Sequence, residues 1–323
     1  MGVFMSRQDK RVGDWLEDVQ GADASSSRAP RETRAMLSPT KRQKRGASDM
    51  HGALGLVWGV AEWVGRKRTH EDRAVGCVLS DGATFAGVYD GHAGSKAAAY
   101  AASHLHTFVA SRNGTLRQRL VAAFDRTERA ILQTGITDGT TACVCVVEGT
   151  TFTTANVGDS RCVLGGGSRR RPRAVRATTD HKPELVNETR RVQRAGGAVE
   201  VRGACTRVVH PGCPLMLATS RTLGDAVCKR HPGLVSPHPD VVSRALTRTD
   251  RFAILATDGL WDVVSDEEAV ACVNSVLGGC GDVVDADLCE EAAQRCIDKA
   301  RKKCTMDNVL VLVLCFLWEG DDV

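Results

Sequence analysis

Apolar and polar positions change rhythm near residue 50. From about Gly52 onward, apolar stretches alternate with turns rich in Gly, Asp and Asn. Runs of strand length predict strands over 74–79, 84–89, 141–147, 151–157, 161–164, 252–257 and 309–316. Ser80-Asp81-Gly82 separates the first two and predicts a hairpin. Helical spacing predicts helices over 95–109, 116–132 and 183–195, the last stopped by Gly196-Gly197. Ser265-Asp266-Glu267-Glu268 has the form of a capping box. Asp287-Leu288-Cys289-Glu290 is similar, with Asp287 as the cap. The helix it opens puts Leu288, Ala292, Cys296 and Ala300 on one face. Strands and helices without regular βαβ alternation favour an antiparallel α+β sandwich over a doubly wound sheet.

Residues 1–50 differ. They are polar, with little periodicity, and bury too little to repay ordering entropy, so they are expected to form a disordered basic arm with a short helix near Trp15. The arm holds 10 Lys+Arg against 7 Asp+Glu, most of the net charge of +4. The nearly neutral remainder, in a chain of only 2 Tyr and 5 Trp, argues against nucleic acid as a partner. No apolar run reaches the eighteen or so residues of a spanning helix, and charges from Arg7 onward argue against a secretory signal. The 13 cysteines include no C-x-x-C pair; buried thiols in a reducing compartment are expected, with Cys143 and Cys145 on one face of a sheet.

The candidate chemistry lies where strands end. Predicted strands run into Asp90-Gly91-His92, Gly158-Asp159 and Asp258-Gly259, and Asp307-Asn308 precedes the last one. Any single Asp-Gly reads as a turn. Together, carboxylates at the rim of a buried sheet repel one another unless a cation compensates. Their hard oxygens suit Mg²⁺ or Mn²⁺, and no His or Cys pair has zinc-like spacing. Arg66-Lys67-Arg68 beside Glu71-Asp72 offers cations for a phosphate next to acids for a metal. His92 has the chemistry of a general acid.

In order, the chain carries Glu71-Asp72, Val88-Tyr89-Asp90-Gly91-His92-Ala93-Gly94, Gly139-Thr140-Thr141-Ala142, Asn156-Val157-Gly158-Asp159-Ser160-Arg161, Asp180-His181-Lys182-Pro183, Ser220-Arg221-Thr222-Leu223-Gly224-Asp225, Ala256-Thr257-Asp258-Gly259-Leu260-Trp261-Asp262 and Asp307-Asn308. This set resembles the metal-dependent protein serine/threonine phosphatase family, type 2C, over about residues 54–318. The resemblance implies a four-layer αββα sandwich, two packed antiparallel sheets flanked by helices, with a catalytic domain over 51–319 and a short tail at 320–323. It implies two Mg²⁺ or Mn²⁺ ions, with a third more weakly bound. Asp90 would bridge the central pair, with the Gly91 carbonyl on one of them. Asp258 and Asp307 would hold the second, and Glu71 would contact the cluster. Asp159 would share the third ion with Asp258, while Asp225, Arg68 and Asp72 would support the site. The implied reaction is in-line attack by a metal-bridging water on a phosphoserine or phosphothreonine protein, with His92 protonating the leaving oxygen. A monomer is expected. The alternative is a weak or inactive relative that serves as a phosphoprotein-binding scaffold.

Two departures from the family pattern stand out. Lys67 occupies a position where the family has Arg, so the phosphate falls to Lys67, Arg66 or Arg68. Ala93 replaces a Gly; if its φ is positive, strain of about 1 kcal/mol follows. In the arm, Gly2 with Ser6 fits an N-myristoylation pattern, which implies a cytoplasmic enzyme with peripheral membrane contact. The 41–45 basic cluster reads equally as a nuclear import signal.

Overall fold

The computed structural model describes residues 54–110, 114–168, 171–203, 205–278 and 284–318. The arm, the Trp15 helix, Gly2, the 41–45 cluster and the 320–323 tail lie outside them. The described chain begins with β1 (Leu54–Trp63), the hairpin β2 (Arg73–Val78) and β3 (Thr84–Tyr89), and a short β4 (Gly91–His92). Helices α1 (Lys96–Val109) and α2 (Leu116–Gln133) follow. Next come β5 (Gly139–Thr140), β6 (Ala142–Glu148), β7 (Thr151–Val157), β8 (Arg161–Ser168) and β9 (Arg171–Arg176). Helix α3 (Val186–Arg194) leads into β10 (Ala198–Arg202), β11 (Cys205–His210) and β12 (Cys213–Leu217). The chain continues through β13 (Leu223–Gly224), α4 (Ala226–Lys229), β14 (Asp240–Ala245) and β15 (Asp250–Ala256). It closes with α5 (Asp258–Trp261), α6 (Asp266–Leu277), α7 (Ala286–Lys302) and β16 (Val309–Trp318).

Two five-stranded sheets, β1-β16-β15-β8-β9 and β14-β7-β6-β3-β2, form the middle layers, and their ladders are antiparallel. Strand β16 shows why its sequence is continuously apolar. Leu310, Leu312 and Leu314 enter the core between the sheets, while Val309, Val311 and Val313 face the helical layer. Both faces are covered, so no polar alternation is needed. Ala292, Cys296 and Ala300 of α7, with Val270 and Val273 of α6, cover that outer face. On the other sheet Phe85, Tyr89 and Val144 pack under Ala101 and Leu105 of α1 and Phe124 of α2. The result is the four-layer αββα sandwich. Cys143 and Cys145 share the face between the sheets.

Several boundaries differ from expectation. Helix α3 starts at Val186, because Pro183 to Leu185 turn back on Lys182, whose carbonyl accepts from the Leu185 amide at 3.2 Å. Helix α7 is capped by Asp285, not Asp287: Asp285 Oδ1 accepts from the Leu288 amide at 2.9 Å, and Asp287 lies inside the first turn. Strand β8 runs on through Gly165-Gly166-Gly167. A side chain at Gly165 would meet the Phe252 ring at 2.0 Å, so close packing selects glycine where local preference speaks against a strand.

Candidate active site

The edges of both sheets bring the acids together. Asp90 follows β3, Asp258 follows β15 and Asp307 precedes β16. Asp90 is fixed through Thr141, whose Oγ1 accepts from the Asp90 amide at 3.1 Å while its own amide donates to the Asp90 carbonyl at 2.9 Å. Asn308 fixes the segment before β2. Its Nδ2 donates to the carbonyls of Val64 and Thr69, and its Oδ1 accepts from the Glu71 amide at 2.9 Å. Asp72 is buried beneath this segment and accepts from Thr257 Oγ1 at 2.9 Å.

These carboxylates are short of positive charge. Burial, then the charges of Asp72, Asp159 and Asp307, pushes Asp90 well above the usual carboxylate range. Burial, then Asp90, Asp159 and Asp262, does the same to Asp258. Asp90 and Asp258 lie within hydrogen-bonding distance of each other. Asp72 is pushed up to about 8 by burial and by Asp258 and Asp307, against its bond from Thr257. Two ammonium groups offset part of this. Lys67 Nζ lies 2.8 Å from Asp307 Oδ1, and Lys182 Nζ lies 2.6 Å from Asp159 Oδ2 and 3.8 Å from Asp262.

The structure therefore brings Glu71, Asp72, Asp90, Gly91, Asp159, Asp258 and Asp307 to one cleft and adds Lys67. Among the three neighbouring cations it is Lys67 whose charge is felt by Asp90 and Asp258; Arg66 and Arg68 are exposed beside it. Gly91 is buried so close to the Glu71 carbonyl that a Cβ would sit 2.6 Å from it. Ala93 has φ of 59°, so the strain anticipated there is present. His92 Nε2 lies 3.0 and 2.9 Å from the two carboxylate oxygens of Asp225. Burial works against its charged form, but Asp225, then Asp159 and Glu71, raise its pKa overall.

Sequence reasoning left Lys182, Asp262, Asn308 and Thr222 without roles, although all four stand inside the quoted motifs. No spacing rule ties residue 182 to residue 159; only the fold puts them side by side. Among the described residues, no three His, Cys, Asp or Glu side chains already close around one point as a metal cage. The donor set still fits a hard divalent cation. It is all oxygen, and its members raise one another's pKa, a cost that a bound cation would remove.

The comparisons agree with this geometry. The family model described as Protein phosphatase 2C matches residues 67–309. A "Probable protein phosphatase 2C 14" of Arabidopsis thaliana is 36% identical over 232 residues, covering 69% of this chain and 49% of that protein. "Protein phosphatase 2C homolog 2" of Hypocrea jecorina is 33% identical over 270 residues, covering 77% of this chain and 55% of that one. The chain thus spans about half the length of these relatives. A crystal structure of a serine-threonine phosphatase 2C from Toxoplasma gondii superposes with a TM-score of 0.70 at 20% identity, covering 83% of this chain and 99% of that one, and so shares the fold. With the family model matched across the acid cleft, the chain belongs to the protein phosphatase 2C family.

Proposed function

We propose that this chain hydrolyses phosphoserine and phosphothreonine in proteins, with Mg²⁺ or Mn²⁺ as cofactor. The observation that carries the reading is the crowding of Asp90, Asp258, Asp307 and Asp72 at one cleft with a lysine on one side and a histidine on the other. Asp90, the Gly91 carbonyl, Asp258, Asp307 and Glu71 would hold the ions, and Asp159 would join once Lys182 yields its oxygen. Bound there, divalent cations supply charge neutralisation and a water acidic enough to attack phosphorus at neutral pH. Lys67 is half-exposed, so its ammonium can leave Asp307 for the non-bridging phosphate oxygens. It does so as a point charge, without the two-pronged grip of arginine. His92, bonded to Asp225 and, against the effect of burial, raised in pKa by it and by the charges of Asp159 and Glu71, holds the proton that the leaving seryl or threonyl oxygen needs. None of the buried thiols takes part.

The test is phosphate release from a phosphothreonine peptide with Mn²⁺, with Mg²⁺ and with neither, using Asp258→Asn as control. Metal-dependent release that the variant loses supports the reading. Release without metal, or none with either ion, overturns it. Peptide binding without hydrolysis would favour the scaffold alternative.

A further inference from the structure

The short sheet β13-β5-β4 carries a device that the proposed chemistry does not by itself require. β5 lies in the middle, with Gly139 opposite both Gly224 of β13 and His92 of β4. Asp225 follows β13 directly and is wholly buried, with φ of 52° and ψ of 51°, a left-handed backbone that, glycine apart, aspartate and asparagine adopt most readily. That backbone sends its carboxylate across β5 to His92. A Cβ on Gly139 would lie 2.3 Å from Asp225 Oδ2, so the carboxylate passes over a position where only glycine leaves room.

The carboxylate is also held from behind. Thr222 Oγ1 donates to Oδ2 at 2.5 Å, and the Asp225 amide donates to the Asp138 carbonyl at 3.0 Å. Asp138 itself accepts from the amides of Lys96 and Ala97 at 2.9 Å, which fixes the loop from His92 to the start of α1. The Gly224 amide donates to Glu128 Oε2 at 2.7 Å, and Lys229 pairs with Glu128 at 2.8 Å. A buried carboxylate supported from Thr222 has one outward contact, His92 Nε2.

We propose that Asp225 is the positioning residue for His92, with Thr222 and Gly139 as its supports. It holds Nε2–H, fixes the ring plane and leaves Nδ1 as the nitrogen that delivers the proton. This rests on the phosphatase reading. In the step it serves, the phosphorus–oxygen bond to the substrate breaks and its electron pair goes to the departing oxygen. The Nδ1 proton passes to that oxygen, and a proton from the attacking water restores the imidazolium.

A positioning role for a proton donor predicts a dependence on leaving group. An alkoxide needs the proton; a nitrophenolate departs without it. The experiment compares a phosphothreonine peptide with p-nitrophenyl phosphate, both with Mn²⁺, for wild type, His92→Ala, Asp225→Asn, Gly139→Ala and the double variant His92→Ala/Asp225→Asn. Asp225→Asn keeps the shape and tolerates the left-handed backbone; melting curves check that each variant folds. His92→Ala is expected to lose about 100-fold or more in kcat on the peptide and far less on the aryl ester. Asp225→Asn and Gly139→Ala should lose about 10-fold or more on the peptide alone, and the double variant should be no worse than His92→Ala. Nitrogen-15 spectra of the histidine rings should show His92 carrying its proton on Nε2 in the neutral form, with that preference lost in Asp225→Asn. Equal losses on both substrates, or an unchanged tautomer, would overturn the positioning role while leaving the phosphatase reading intact. A wild type inactive on both substrates would instead sink that reading, and this inference with it.

Discussion

Asp90 and Asp258 face other carboxylates across the cleft, whereas Glu188, a short distance away in sequence from the cleft lysine, meets two arginines. Arg221 lies 2.6 Å from its Oε1 and Arg191 2.8 Å from its Oε2, and Ser220 donates to it as well. Burial would raise its pKa, but these bonds hold it at about 2. Asp266, clasped by Arg161 and Arg176, is likewise held low. Carboxylates drawn out of water in both places are thus shifted in opposite directions by their neighbours. Carboxylates matched by guanidinium groups stabilise the fold. Those crowded against each other cost stability, which the fold tolerates where an incoming cation can offset it.

The largest expected effect breaks the cleft side of this contrast. Asp258→Asn should lower metal-dependent phosphate release by two or more orders of magnitude, about 3 kcal/mol or more of transition-state stabilisation. It should leave the metal-free protein as stable as wild type or more so, because a repelled charge is gone. Denaturant titration and initial rates on the same preparations check both halves. On the matched side, Glu188→Ala should cost about 2 kcal/mol, since it removes a buried carboxylate that accepts from Arg191, Arg221 and Ser220, while Arg221 keeps Asp240 and Arg191 keeps its backbone carbonyls. The sign of the pH effect follows from the lowered pKa. The stabilisation from Glu188 is full above its ordinary 4.5 and is lost as pH falls toward about 2. Glu188→Gln should flatten that part of the acid limb, as followed by urea midpoints from pH 6 to 2.

Between these two groups stands Lys67. Lys67→Ala should raise KM for a phosphopeptide several-fold, and Lys67→Arg should restore it or better it. An unchanged KM would remove Lys67 from phosphate binding. The smallest effect concerns the rim. Ala93→Gly should stabilise the fold by about 1 kcal/mol by relieving a positive φ, a change visible in the denaturation midpoint.

Much of this was legible along the chain. Strand ends followed by Asp marked the cleft, and the strand-length runs of β3 and β16 marked both sheets. Less local facts were not. Strand β1 has no clean alternation, and its ten-residue ladder to β16 supplies what its own pattern lacks. Strand β8 hid behind three glycines that the packing of Phe252 demands. The pairing of Lys182 with Asp159 and of Asp225 with His92 joins residues 23 and 133 positions apart. Asp225 read as a secondary member of its motif because its importance lies in a left-handed backbone that a sequence does not display.

The claim that the crowded acids are a cation site is tested most directly by thermal melting with and without Mn²⁺, in wild type and in Asp90→Asn. A ligand that binds only the folded state raises the melting temperature, and raises it further as its concentration exceeds Kd. A clear rise with Mn²⁺ is expected for the wild type and little or none for Asp90→Asn. An equal rise in both proteins, or none in the wild type, would contradict that claim.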